Sequence, residues 1–194
     1  MTLRPTEGLR KFPGLCLVAA ALIASCLISN AGAQETLSPP KVEVKVTAGG
    51  ASFGLDGGAG HSAVGGAVRI YLSKRWSVEP EFMYMRAGAN DQDYFFTPSV
   101  AYDLTDPTGK YVPYLVGGVG VEHHRGRFVS TGFGTGQPQV FETSATTWSA
   151  GVGAGVKIFL TDRLFVAPEA RIGREPTLRG TVSVGYVLSG RKRK

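Results

Sequence analysis

From Lys41 onward the chain alternates apolar and polar positions with a period of two, segment after segment, and no stretch carries the spacing of an amphipathic helix. The alternation predicts eight strands, at 41–53, 62–72, 76–86, 94–104, 111–122, 146–160, 164–174 and 178–188. Most are about ten residues long, the length a tilted strand needs to cross a bilayer core. The breaks after the second, fourth and sixth strands are short, and the longest connection, His123 to Ala145, follows the fifth. Short turns at one end and longer loops at the other predict an all-β, eight-stranded antiparallel up-and-down transmembrane β-barrel. Both termini are then periplasmic, and the loops after the odd-numbered strands face outward.

One sentence of sequence is written twice. Residues 68–85 read VRIYLSKRWSVEPEFMYM, and 88 positions later residues 156–173 read VKIFLTDRLFVAPEARIG. Each copy is a strand, a tight turn and the next strand. A basic residue before the turn (Arg69, Lys157) and a Glu after it (Glu81, Glu169) share a face, so each hairpin is expected to carry its own cross-strand pair. Pro80 and Pro168 fall on the opposite face, where a missing ladder donor predicts a bulge or a frayed end.

Splitting the strands by parity separates two faces. One is apolar, with Trp76, Val78, Phe82 and Tyr84 in strand three and Leu164, Val166 and Ile172 in strand seven. The other mixes charges with small residues: Arg69, Glu79, Glu81, Lys157, Glu169, Arg171 and Arg179 stand among Gly65, Ala67, Gly151, Gly153, Gly155 and Gly185. A soluble barrel would bury the apolar face and solvate the charged one, and alternation alone fits both. The small residues suit the crowded inside of an eight-stranded cylinder. Aromatics near strand ends (Trp76, Tyr84, Tyr94, Tyr102, Trp148) suit the girdles of a membrane barrel. The seven charged residues are therefore expected to form an interior ion-pair network that satisfies buried charge, with a charged conduit for ions or protons as the competing role.

Composition adds an export signal. Arg4, Arg10 and Lys11 precede an apolar stretch that ends at Ala31-Gly32-Ala33, an A-x-A-like cleavage site, so 1–33 is expected to be a signal peptide and 34–40 a periplasmic spacer before the 41–188 barrel. Ile23-Ala24-Ser25-Cys26 also resembles a lipobox, which leaves lipoprotein processing at Cys26 open. Both cysteines lie within this leader, so the mature chain is expected to use neither disulfides nor thiolate-bound metal. Losing Arg4, Arg10, Lys11 and Glu7 with the leader lowers the formal charge from +6 to +4.

The Val116-Gly117-Gly118-Val119-Gly120-Val121 run, the hairpin at 155–164 and the closing Thr181-Val182-Ser183-Val184-Gly185-Tyr186 strand, together with the alternation, resemble the outer membrane protein β-barrel family, the small OmpA/OmpX-like kind. The resemblance covers nearly all of 41–188. It implies a monomeric integral protein of a Gram-negative-type outer membrane, placed by the barrel-insertion machinery and in contact with outer-membrane lipid and lipopolysaccharide. Family members commonly end on an aromatic residue, whereas this chain runs past Tyr186-Val187-Leu188 into a basic tail, 189–194. That tail suits acidic lipid headgroups or cell-wall polymer, and no nucleic acid partner is expected for it in the periplasm.

Candidate chemistry is sparse. Barrels of this kind that modify lipid A place His and Ser two residues apart on one strand face, where the imidazole takes the hydroxyl proton. No H-x-S occurs here, since Ser130, expected in a Gly-rich loop, stands six residues from His124. Adjacent His123 and His124 point to opposite faces, and His61 is expected at the tip of the first loop, so all three histidines read as solvated and no metal site is expected. Arg125 and Arg127 are candidate contacts for lipopolysaccharide phosphates. With no cofactor and no catalytic residue expected, a structural or interaction role in the envelope leads, and a narrow channel for small or apolar solutes is the alternative.

Overall fold

The computed structural model describes residues 39–53, 60–88, 90–131 and 138–190. The proposed leader, residues 34–38 of the spacer and residues 191–194 of the basic tail lie outside them. Eight strands follow in chain order: β1 (Pro40–Ser52), β2 (Gly60–Tyr71), β3 (Trp76–Arg86), β4 (Asp91–Asp103), β5 (Tyr111–Thr131), β6 (Pro138–Phe159), β7 (Leu164–Arg174) and β8 (Leu178–Gly190). Each pairs antiparallel with the next, and β8 returns to pair with β1, closing the barrel.

The two faces are those the parity of the sequence predicts. Along β8 every second residue from Arg179 to Val187 is buried and those between are exposed. The exposed set is apolar around the barrel, including Val46, Val64, Phe82, Val119, Val152, Ile172 and Val182, and the charged set points inward. A soluble barrel would have these faces reversed. An outer surface of this composition is stable against lipid and costly against water.

Aromatic pairs bound the apolar belt. Near the β2–β3 turn, Trp76 and Tyr102 stack with ring centroids 4.8 Å apart, and at the other end Tyr84 and Tyr94 stack at 5.2 Å. Trp148 lies under the Arg174 guanidinium at 4.1 Å. Trp76 and Tyr84 are eight residues apart on one strand, about 26 Å along it and about 20 Å in height once a tilt near 40° is allowed for. That is close to the apolar thickness of an outer membrane.

The main departure from the predicted strands is in β5 and β6. The segment expected as a loop after residue 122 continues as ladder, with Glu122↔Thr147 followed in register as far as Thr131↔Pro138. The pairing register therefore extends nine residues further than the hydrophobic pattern does. Above the belt neither face needs to be apolar, so the alternation that marks a strand disappears while β-branched residues such as Val140, Thr143, Thr146 and Thr147 still favour one. The asymmetry between the two ends thus comes from this protruding hairpin. The β3–β4 and β7–β8 connections are as short as the opposite turns.

Pro80 and Pro168 make neither a bulge nor a frayed end. The β2–β3 ladder passes from Ala67↔Glu81 to Ile70↔Val78, and the β6–β7 ladder from Gly155↔Glu169 to Ile158↔Val166, each without a change of register. Pro98 opens the same kind of gap between β4 and β5. A proline removes one donor and leaves its other neighbour paired, and the closed cylinder holds the register across the gap.

At the end with the β2–β3, β4–β5 and β6–β7 turns, Asp106 fixes the longest connection. Its carboxylate accepts from the Thr108 backbone N–H at 3.0 Å and hydroxyl at 2.7 Å, and pairs with Lys74 of the neighbouring turn at 2.7 Å. Partial burial opposes ionisation, yet Lys74 and the two Thr108 donors outweigh it and hold the carboxyl down at about 2.

Candidate functional site

All seven charged residues assigned to the interior from sequence parity meet there. Arg69 Nε donates to Glu79 Oε2 at 2.6 Å, Arg171 Nε to Glu169 Oε1 at 2.6 Å and Arg171 Nη2 to Glu81 Oε2 at 2.9 Å. Arg179 reaches Glu81 at 2.5 Å and Glu169 at 3.5 Å. Five more residues join them. Lys45 pairs with Glu79 at 2.8 Å, Lys157 reaches Glu43 at 3.3 Å and Asp103 at 3.1 Å, and the Tyr114 hydroxyl donates to Glu169 at 2.8 Å. Tyr71 bridges Glu43, Asp103 and Lys157. Five cations thereby face five carboxylates, and each charge has a partner of opposite sign.

Glu43 and Lys45 were legible in the Lys41-to-Thr47 alternation, since they share the parity that β1 turns inward. Asp103 and Tyr114 share the inward parity of β4 and β5 and face each other across that ladder.

The repeated hairpins share a backbone and differ in charge. Arg69 pairs with Glu79, two residues before the Glu81 expected from sequence, and Glu81 instead binds Arg171 and Arg179. The position in the second copy that corresponds to Glu79 is Ala167. Glu169 is taken by Arg171 and Arg179, and Lys157 crosses the lumen to Glu43 on β1 and Asp103 on β4.

The network sits between two apolar layers. Met83, Met85, Phe95, Ala51 and Ala63 pack toward the end with the protruding hairpin, and Val112, Phe159, Phe165, Ala167 and Val187 pack toward the turns. Voids bordering the charges measure about 10 Å³ and about 30 Å³. The smaller admits one water at most.

At the hairpin end lies a second polar group. The expectation that His61 is a solvated loop residue is wrong: it is the second residue of β2, is buried, and packs against Phe53 with ring centroids 4.5 Å apart. Its Nε2 lies 3.2 Å from Asp91 Oδ2 and 3.4 Å from Asp93 Oδ2. His124, directly across the β4–β5 ladder from Asp93, brings Nδ1 to 2.6 Å from Asp93 Oδ1. His123 takes the other face of the strand, as the adjacent pair predicts, and bonds Thr146 Oγ1 at 2.9 Å. Sequence spacing could not reveal this cluster, because β3 separates His61 from Asp91 and only barrel closure brings their strands' ends around one mouth.

Ser130 continues β5 opposite Gln139, where a Gly-rich loop was expected. It lies six residues, about 20 Å, from His124 along that strand, too far for proton transfer. Arg125 and Arg127 are both exposed on the hairpin and border an open cleft of about 590 Å³ with Asn90, Gln92, Glu142, Thr143 and Ser144. Arg127 and Glu142 approach only to 3.9 Å.

Known structures share this architecture. The N-terminal β-barrel domain of Pseudomonas aeruginosa OprF is 16% identical with a TM-score of 0.52, the alignment covering 77% of this chain and 98% of that one. Neisserial surface protein A is 17% identical with a TM-score of 0.52, covering 75% and 93%. No curated relative matches the chain. The outer membrane protein beta-barrel domain matches residues 18–186, which spans all but the last few residues of the closed, lipid-facing cylinder described above, and the chain belongs to that family.

Proposed function

We propose that the protein is a closed, non-conducting barrel with a structural and interaction role, exported by its N-terminal signal peptide and presenting the β5–β6 hairpin to the exterior. The observation that carries this reading is the lumen: five paired cations and five paired carboxylates fill its middle. Apolar side chains close it above and below. A solute path would have to break buried ion pairs, which is costly at each step. The histidines lend catalysis no support, because His124 is paired with Asp93 and Asp91 and, among the described residues, makes no hydrogen bond to a serine. The test is reconstitution: the full chain in planar bilayers should show no steady conductance, and should recover in the outer-membrane fraction with heat-modifiable gel mobility. Sustained single-channel currents would overturn the closed-barrel reading.

The exposed Arg125 and Arg127 favour one interaction in particular, with lipopolysaccharide phosphates at the membrane rim. Replacing both with Ser should weaken binding of lipopolysaccharide to the detergent-solubilised barrel and reduce its salt dependence, and equal binding by the variant would remove this contact.

A further inference from the structure

The central network of the lumen is balanced in charge, but the mouth beside it is not. Asp91 and Asp93 form ion pairs with the two imidazoles and, among the described residues, with no Lys or Arg. Glu122, buried on the same strand as His124 and two residues before it, adds a third carboxylate to this end of the lumen. Asp91 Oδ1 is buried without a hydrogen-bond partner, with His124 Nδ1 at 3.6 Å.

We propose that His61, Asp91, Asp93 and His124 form a binding site for one divalent transition-metal ion, Zn²⁺ or one of similar softness. The metal would be held by His61 Nε2, His124 Nδ1 and one oxygen from each aspartate.

The distances fit His61 and the two aspartates as the core of that set, with His124 beside it. With bonds of about 2.0–2.2 Å to nitrogen and oxygen, the corners of a tetrahedral zinc site are about 3.3–3.6 Å apart. His61 Nε2 lies 3.2 Å from Asp91 Oδ2 and 3.4 Å from Asp93 Oδ2, while His124 Nδ1 faces the other oxygen of each carboxylate, Asp91 Oδ1 at 3.6 Å and Asp93 Oδ1 at 2.6 Å, so it joins as the fourth ligand once the carboxylates rotate. The 2.6 Å contact between His124 and Asp93 is a hydrogen bond that lengthens when the metal replaces the shared proton. The ligand atoms of His61, Asp91 and Asp93 already lie within 4.8 Å of one another. Both imidazoles bind in the neutral form, so protons shared with the carboxylates leave as the ion enters. Two imidazoles select a borderline transition metal over Mg²⁺ or Ca²⁺, which prefer all-oxygen shells. Two aspartates neutralise the dication where the surroundings are partly dry.

The ligands come from β2, β4 and β5, with β3 standing between the first two. A bound ion is thus a clamp across the mouth rather than a reinforcement of one ladder, and Phe53 against the His61 ring helps to orient it.

The test is titration of the chelator-stripped full chain, refolded in detergent micelles, with zinc chloride by calorimetry. One equivalent should bind. His61→Ala and Asp93→Asn should each weaken binding at least about tenfold, His123→Ala should leave it unchanged, and magnesium or calcium chloride at the same concentration should give no saturable heat. X-ray absorption at the zinc edge on the unaltered protein should show two imidazole nitrogens at about 2.0–2.1 Å, which needs no variant to fold. Absence of stoichiometric binding at millimolar zinc, binding indifferent to His61→Ala in a variant with folded-barrel mobility, or a shell with fewer than two imidazoles would overturn the site and leave the four residues as ordinary ion pairs.

Discussion

Arg69 Nε lies 2.6 Å from Glu79 Oε2 across the β2–β3 hairpin, and both side chains are almost fully buried. Glu79 also holds Lys45 at 2.8 Å and Arg171 at 3.5 Å, so one carboxylate serves three cations. Replacing Glu79 with Gln leaves those cations short of charge inside the lumen. Breaking a buried pair by removing one partner costs about 3–5 kcal/mol. Urea unfolding of the folded barrel in lipid vesicles should therefore show a clearly lower midpoint for Glu79→Gln, and a midpoint equal to that of the unaltered protein would contradict the network's structural role.

Arg179 and Glu81 are a closer pair, at 2.5 Å, but each has other partners, Glu169 for the arginine and Arg171 for the glutamate. Shared partners make the effects of substitution non-additive. In a double-mutant cycle with Arg179→Met and Glu81→Gln, the coupling should lie within about 0.5–3 kcal/mol, and the double variant should be more stable than the sum of the singles implies. Additive effects would mean that the two act independently.

Two lumen glycines make room for rings. A Cβ added at Gly185 would fall 2.2 Å from the Phe165 ring, and one at Gly155 would fall 2.6 Å from the Tyr114 hydroxyl. Gly185→Ala should lower folding yield or stability by about 1–3 kcal/mol through overpacking, and the second substitution Phe165→Leu should recover part of the loss. Heat-modifiable mobility and unfolding midpoints measure both. A Gly185→Ala barrel as stable as the parent would show that the ring yields freely.

Asp106 supplies a pH dependence outside the membrane. Its carboxyl is held at about 2, below the ordinary carboxylate range, so the folded state binds its proton less readily than the unfolded chain. The resulting stabilisation is fully present above about 4, the ordinary value of an aspartate. It is lost as pH falls from there through about 2. Because the Asp106 side chain is about a third exposed, screening keeps its contribution small, within about 1 kcal/mol. Asp106→Asn should flatten the acid limb of the stability profile slightly, and carboxyl titration by NMR should place Asp106 below an unpaired aspartate. A titration at the ordinary value would refute the pairing with Lys74 and Thr108.

The barrel was legible in the sequence wherever one face had to meet lipid. There, strand ends agree with the alternation to within a few residues, and inward residues such as Glu169 and Arg171 follow from parity. Legibility failed where lipid stops imposing a pattern. The β5–β6 extension has polar residues on both faces and reads as a loop. Pairing across the lumen is also silent, because Lys157 and Glu43 are separated by 114 residues and by the width of the cylinder. The same holds for His61 and Asp91, which closure of the barrel brings to one mouth.

The exchange of Glu79 in the first hairpin for Ala167 in the second reaches beyond the two hairpins. Within the central network β1–β4 contribute Glu43, Glu79, Glu81 and Asp103 against Lys45 and Arg69, while β5–β8 contribute Lys157, Arg171 and Arg179 against Glu169. One half of the cylinder therefore carries an excess of two negative charges and the other an equal positive excess. If the two halves began as copies, they have become complementary and are no longer interchangeable. Two copies of either half closing on each other would enclose four like charges without partners, and the electrostatics of the lumen thus forbid self-pairing of half-barrels and favour closure of the whole chain upon itself.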